Sequence, residues 1–320
     1  MPGVNRNQPK RAASSESRYT AMEMRDEFPD DTACLDYLWR KLYSADGAHA
    51  QCPKCLVERK FHRVASRPSY SCDTCGHHIH PTAGTIFHKS STSLALWFHA
   101  IYLMSSTRCG VSAKQLEREI GVTYKTAWRM LHMIRNLLLD DDKVLTGPVE
   151  ADETYVGGVR RNGRTGRPGR QDSTKTPVFG MVERGGNVIA LAVEDAKATT
   201  LMPHMRKRIL PASLIYTDEW KSYNRLGEAG FEHRRIHHAS KVYVVGDIHT
   251  NTIEGFWSLV KRGIDGVYHA VSARHLQSYL DEYTWRYNHR DDAEPMFKTM
   301  LEGVEVGRCS LTPRRALAAD

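Results

Sequence analysis

Two groups of side chains in this sequence could do chemistry, and they call for different ligands. The first is cysteine: Cys52-x2-Cys55 and Cys72-x2-Cys75, with sixteen residues between the pairs. Each CxxC turn converges two thiolates, and two such turns complete a tetrahedral four-cysteine site for structural zinc. A closed site of that kind contributes folding energy and leaves no coordination position for a reaction. His77, His78 and His80 follow closely and read as surface residues rather than ligands. The second group is carboxylate: Asp152 in VEADETYVGG, Asp218 at the end of SLIYTDEW, and Glu254 in HTNTIEGFWSLVKR. Hard cations such as magnesium take oxygen ligands, and two of them clamp the attacking and leaving oxygens of a phosphoryl transfer. One aspartate at a strand end is ordinarily a turn or cap residue, so only the three together point to chemistry. Glu150, Glu153 and Glu219 flank the chosen positions. On an extended strand Glu150 shares a face with Asp152, whereas Glu153 points away. Lys261 follows Glu254 by seven residues, two helical turns, which sets both on one face.

These residues need elements to hold them. In PDDTACLDYLWRKLY, Leu35, Leu38, Trp39 and Leu42 recur at helical spacing, with Asp30 or Asp31 as N-cap. Residues 1–25 read as a disordered basic leader, and 26–88 as a zinc-ribbon domain with an N-terminal helix. Another helix is expected over 94–105. Residues 89–146 then read as a helical DNA-binding region. Within it Ser112 and Gln115 give a capping-box pattern, Gly121 breaks the chain, and Thr123 can cap a second helix. Short β-rich runs follow: VEADETYV, then TPVFGMVE and VIALAVE joined as a hairpin across residues 184–187. A helix near 200–209 leads to the strand SLIYTDE, and helices are expected over 252–262 and 275–287. Strands first, then strand and helix alternating, predict an α/β catalytic domain over 147–300, with a tail at 301–320.

Charge points to a polyanionic partner. Lys and Arg exceed Asp and Glu to give a formal net charge of +8. The helix from 124 carries Tyr124, Lys125, Thr126 and Arg129 on its first turns, where a helix-turn-helix meets base edges. Between the first strand and the hairpin lies RRNGRTGRPGRQDSTK, whose Arg160, Arg161, Arg164, Arg167 and Arg170 would track phosphates without reading sequence. Its arginines alternate with glycine, so it cannot bury a core. The longest apolar run, near 94–104, falls short of the roughly 20 residues a membrane span needs. The polar start MPGVNRNQPKRAASSESRYT has no apolar segment for export, which predicts a cytoplasmic, nucleoid-associated chain. Cys34, Cys109 and Cys309 read as small buried residues rather than nucleophiles.

The blocks ADETYVGG, YTDEW and HTNTIEGFWSLVKRGI resemble the three signature blocks of bacterial insertion-sequence transposases of the ISXO type, which carry an N-terminal zinc ribbon. The likeness runs from about residue 28 to 290, with the blocks in the family's order. It implies an RNase H-like catalytic fold preceded by a zinc ribbon and a helix-turn-helix. It further implies a DDE triad of Asp152, Asp218 and Glu254 holding two magnesium ions. Lys261, with Arg262 beside it, takes the family's basic position against the terminal DNA. Some relatives use asparagine as the third catalytic residue, which makes Asn251 the competitor of Glu254. The implied activity is nicking at the ends of an element and joining of its 3′-hydroxyls to target DNA, by a homodimer or larger assembly on double-stranded DNA. Two other readings stand beside it: a non-catalytic DNA-binding regulator derived from a transposase, and a nuclease that hydrolyses without joining.

Overall fold

The computed structural model describes residues 18–138, 143–157, 175–217, 230–235 and 250–307. Asp218, Glu219, Cys309 and the five arginines of the 160–170 segment lie outside the described residues. The described residues gather into two compact units, those of 18–138 with 289–307, and those of 143–288.

The first unit opens with α1 (Ala21–Glu27), most of which falls in the stretch 1–25 expected to lack structure. Its signal is short but complete: Thr20 accepts from the Glu23 N–H while the Glu23 carboxylate accepts from the Thr20 N–H, a full capping box. α2 (Asp31–Leu42) is capped by Asp30, which accepts from the Thr32 and Ala33 N–H groups, and buries Leu35, Leu38 and Trp39. Four strands follow as one antiparallel sheet in chain order: β1 (His49–Gln51), β2 (Glu58–Val64), β3 (Ser69–Cys72) and β4 (His78–Ile79). The Trp39 indole stacks on the Tyr70 ring at 4.2 Å, tying α2 to this small sheet. α3 (Leu94–Ser106) is apolar on most of its circumference and is accordingly the unit's central helix. α4 (Ala113–Ile120), α5 (Tyr124–Arg135) and the last helix, α9 (Met296–Glu302), pack with it. Phe28 joins the rings of Tyr37, Phe98 and Phe297, so the returning C-terminal segment completes the N-terminal core.

The second unit is a five-stranded sheet with helices on both faces. β5 (Val149–Val156), β6 (Thr176–Glu183) and β7 (Val188–Ala192) form an antiparallel meander, the last two joined by the expected hairpin with Gly185 at φ 74°. α6 (Ala198–Arg208) crosses to β8 (Leu214–Thr217), which pairs in parallel with β5, and β9 (Glu232–Arg235) extends the edge in parallel with β8. The order is β7-β6-β5-β8-β9. The polar sequence EHRR carries no alternating apolar pattern, which is why β9 is invisible without its neighbour. One sheet face, with Val149, Ala151, Phe179 and Ile215, packs on Leu201 and Met205 of α6. The other, with Val156, Val178, Val188 and Ala190, packs on α7 (Asn251–Gly263) and α8 (Ala273–Asn288) through Ile253, Phe256, Trp257 and Leu280. The chain therefore has a mixed α/β unit and a mainly helical unit bearing the cysteine pairs. Among the described residues no helix is long and apolar enough to cross a membrane.

Candidate active site and nucleic-acid interface

β5 alternates faces, and its residues on the α7 side include Glu150 and Asp152. Glu150 is fully buried, whereas Asp152 is half-buried and opens onto a cleft of about 730 Å³. The same cleft is bordered by Glu254, Ser258, Lys261 and Arg262 from successive turns of α7, and by Asp265 beyond it. The sequence-predicted pair Asp152 and Glu254 is thus brought to one surface, with Lys261 on the same helix face as Glu254. Asn251, one turn before Glu254, is exposed and is not among the residues lining the cleft. Glu153, whose Cβ strand alternation directs to the other face, also borders it. The placement of Asp218 lies outside the described residues; β8 ends at Thr217, immediately before it, and pairs with β5 at Val149 and Glu150.

Asp152 does not stand free. Trp257 donates its indole N–H to Asp152 Oδ2 at 3.0 Å. That indole can reach the strand because Gly180 of β6, the register partner of Asp152, has no side chain. A Cβ at Gly180 would lie 2.3 Å from the Trp257 ring. A glycine inside a strand marks close approach of another group, and here the group is the ring that orients a carboxylate. Glu254 is exposed, and its Oε1 accepts from the Thr250 hydroxyl at 3.3 Å. Two open carboxylates beside Lys261 and Arg262 offer oxygen ligands for hard cations and positive charge for a phosphate in one place. Sequence reasoning misses Trp257 and Gly180. Their signals are present nonetheless: Trp257 follows Glu254 by three on a helix, and Gly180 interrupts an otherwise apolar strand.

In the first unit the four cysteine sulfurs of Cys52, Cys55, Cys72 and Cys75 lie within 4.8 Å of one another. Cys52 Sγ and Cys75 Sγ are 3.6 Å apart, and the Cys55 N–H points at Cys52 Sγ at 3.4 Å. Zinc–sulfur bonds of about 2.3 Å set tetrahedral sulfurs about 3.8 Å apart, so the cluster fits a structural zinc ion. The knuckles form as each chain turns back on itself, the Leu56 N–H donating to the Cys52 carbonyl and the Gly76 N–H to the Cys72 carbonyl. His78 and His80 are exposed, and His78 Nδ1 meets Ser69 Oγ at 3.2 Å. Cys34 is buried and Cys109 half-buried.

α4 and α5 meet at a three-residue turn. Gly121 ends α4 in the left-handed region at φ 70°, where a side chain would be strained. Thr123 then caps α5, its Oγ1 accepting from the Thr126 N–H at 3.3 Å. Ser112 caps α4 in the same way through the Gln115 N–H. Leu116, Ala127 and Leu131 are buried, Tyr124 and Lys125 are exposed and Arg129 is half-buried, and with Trp128 these last three border a shallow depression of about 370 Å³. The Lys114 ammonium sits 5.2 Å from the centre of the Tyr124 ring, which steadies that ring at the surface.

Comparison with known proteins adds an independent line. A family model described as the ISXO2-like transposase domain matches residues 144–288. The chain is 30% identical over 272 residues to a Halobacterium salinarum protein described as "Uncharacterized protein in transposable element ISH50", across 78% of this chain and 90% of that one. A Haemophilus influenzae "Uncharacterized transposase-like protein" is 31% identical over 104 residues, 32% of this chain and 83% of its own length. A chain of the simian T-cell lymphotropic virus intasome solved with PP2A regulatory subunit B56 gamma reaches a TM-score of only 0.31 at 14% identity, over 63% of this chain and 74% of that one, too slight a likeness to carry weight. Sequence blocks, a domain-wide model match and a near full-length relative coincide on the unit that carries the cleft: the chain belongs to the ISXO2-like insertion-sequence transposase family.

Proposed function

We propose that this protein is a DDE transposase that binds the terminal inverted repeats of an insertion sequence, nicks the element ends and joins the freed 3′-hydroxyls to target DNA. The observation that carries the proposal is the convergence of Asp152 and Glu254, a hundred and two positions apart, on one cleft that also presents Lys261. The β7-β6-β5-β8-β9 sheet, an antiparallel meander extended by two parallel strands, supports an RNase H-like reading of this unit. Asp152, Asp218 and Glu254 would hold two magnesium ions. Bound there, the ions would supply Lewis acidity and neutralise charge on the phosphate undergoing attack.

The chain's own residues do the rest. Trp257 keeps Asp152 turned toward the cleft, and the Thr250 hydroxyl holds Glu254. Lys261 and Arg262 place a phosphodiester within reach of both carboxylates. In the first step a water oxygen forms a bond to phosphorus while the bond to the 3′ oxygen breaks, and the departing oxygen takes a proton. In the second step that 3′-hydroxyl oxygen attacks a target phosphodiester, loses its proton, and releases a new target 3′-hydroxyl. No covalent enzyme intermediate is needed, so positioning and charge are the whole contribution. The cysteine module and α5, through Tyr124, Lys125, Thr126 and Arg129, would hold the terminal repeats as zinc ribbon and helix-turn-helix, with two copies or more bringing two ends together.

The test is a cleavage and joining assay on labelled duplex bearing candidate terminal repeats, with magnesium, beside Asp218→Ala. Nicks at the repeat boundary and joined products, both absent in the variant, are expected. Repeat-specific binding with no nicking would make the protein a DNA-binding regulator, and nicking with no joining would make it a nuclease.

A further inference from the structure

Glu150 is the most deeply buried acid near the cleft, with no exposed surface, yet it does not line the cleft. Its carboxylate is instead bonded to other elements. Oε1 accepts from Arg184 Nε at 2.8 Å and from the Thr252 hydroxyl at 3.0 Å. Oε2 accepts from the backbone N–H groups of Thr252 at 2.9 Å and Ile253 at 3.0 Å. Those N–H groups belong to the first turn of α7, where a side chain of the helix's own N-cap ordinarily accepts them. The N-cap Thr250 makes no such bond; its hydroxyl donates to Glu254. The cap of α7 therefore arrives from β5, across the sheet-helix interface. Arg184, from the β6–β7 turn, closes the other side of the arrangement, its guanidinium carbon 4.0 Å from the centre of the Tyr216 ring on β8.

We propose that Glu150 is a positioning residue that sets the separation of Asp152 and Glu254 by tying β5 to the first turn of α7. Glu150 is two residues before Asp152, and Thr252 two before Glu254. The hydrogen bonds between those two points leave Asp152 and Glu254 only two residues of chain each in which to drift. The negative carboxylate at the positive end of α7, paired with Arg184, tolerates full burial for the same reason that it clamps: its oxygens are matched by N–H and O–H donors. Groups that orient metal ligands from behind change metal affinity by about 10–100-fold when removed. The inference rests on reading Asp152 and Glu254 as metal ligands.

The experiment is a manganese titration of the full, zinc-loaded chain without DNA, following free manganese by electron paramagnetic resonance. Glu150→Gln, which removes the charge and sets an amide N–H against the donors on one side of the network, should weaken manganese binding by about 10–100-fold. The magnesium concentration for half-maximal cleavage should rise by a similar factor. Arg184→Lys keeps the charge but loses the planar contact with Tyr216, so a several-fold weakening there excludes simple electrostatics and serves if the Glu150 variant does not fold. A folded Glu150→Gln, or Arg184→Lys, that binds manganese like the parent protein overturns the clamp. Asp152→Asn separates the two levels: if it retains both manganese binding and cleavage, the active-site reading itself falls, whatever Glu150 does.

Discussion

The indole of Trp257 reaches Asp152 only because Gly180 leaves its place open, so three residues from α7, β5 and β6 define one carboxylate. The site thereby links packing to chemistry at single-atom scale. Replacing Trp257 by Phe removes the donor while keeping most of the ring. On the proposed reading of Asp152 as a metal ligand, cleavage should fall by about 10–100-fold with end binding retained, as for a group that orients such a ligand. Unchanged cleavage rates in a single-turnover assay would show that Asp152 needs no such support. Gly180→Ala sets a methyl against the Trp257 ring and should destabilise the α/β unit by about 1–3 kcal/mol, read by denaturant unfolding. On the proposed two-metal reading, Asp152→Asn and Glu254→Gln should each reduce cleavage to the level without metal, because each would remove a charged oxygen ligand; DNA binding measured alongside should be retained.

At the scale of elements, the two cysteine turns and the α4–α5 pair show how much local spacing can carry. The four sulfurs meet because each CxxC sequence closes its own turn, and the β1–β4 sheet has few large buried side chains besides Phe61 and Tyr70. If the cluster holds zinc, a module this small would depend on the ion. The purified chain should contain one zinc per molecule by mass spectrometry. Cys52→Ser, or a strong chelator, should release the ion and expose the amides of residues 49–79 to hydrogen exchange. Slow exchange in the metal-free protein would show that the sheet stands without zinc. The caps at Ser112 and Thr123 and the left-handed Gly121 are likewise readable, since each depends on residues within three positions. The capping box of α1 is equally local, but a helix of seven residues is too short to show an apolar period beside it. β9 belongs to the opposite case, a polar strand that exists by pairing with β8.

For the whole molecule the net charge of +8 and the arginine-rich segment at 160–170 set the expected response to salt. Each phosphate contact lowers the slope of log affinity against log salt by roughly 0.9 on duplex DNA. Replacing Arg160, Arg161, Arg164, Arg167 and Arg170 by alanine should flatten that slope by several units and weaken binding to all sequences alike. Replacing Lys125 and Arg129 on α5 should instead reduce preference for the terminal repeat over random duplex. Fluorescence anisotropy at several salt concentrations separates the two. If both variants lose affinity without loss of preference, α5 touches only the backbone.

The sequence alone determined the four-cysteine cluster, the starts of α2, α4 and α5, the hairpin and the acids to consider, because each is encoded in residue type over a span of a few positions. It also carried the family resemblance, which the domain-wide match and the Halobacterium relative then supported. Which acids face the cleft, and how they are held, was decided by tertiary structure. Glu150 and Asp152 share a strand face, as alternation requires, yet one is sealed beneath the first turn of α7 and the other is open. Strand alternation fixes a face but not what covers it. The roles of Trp257 and Gly180 and the return of α9 to the N-terminal core are decided in the same way. Each depends on contacts between residues far apart in the chain, and those exist only once the hydrophobic faces of sheet and helices have packed.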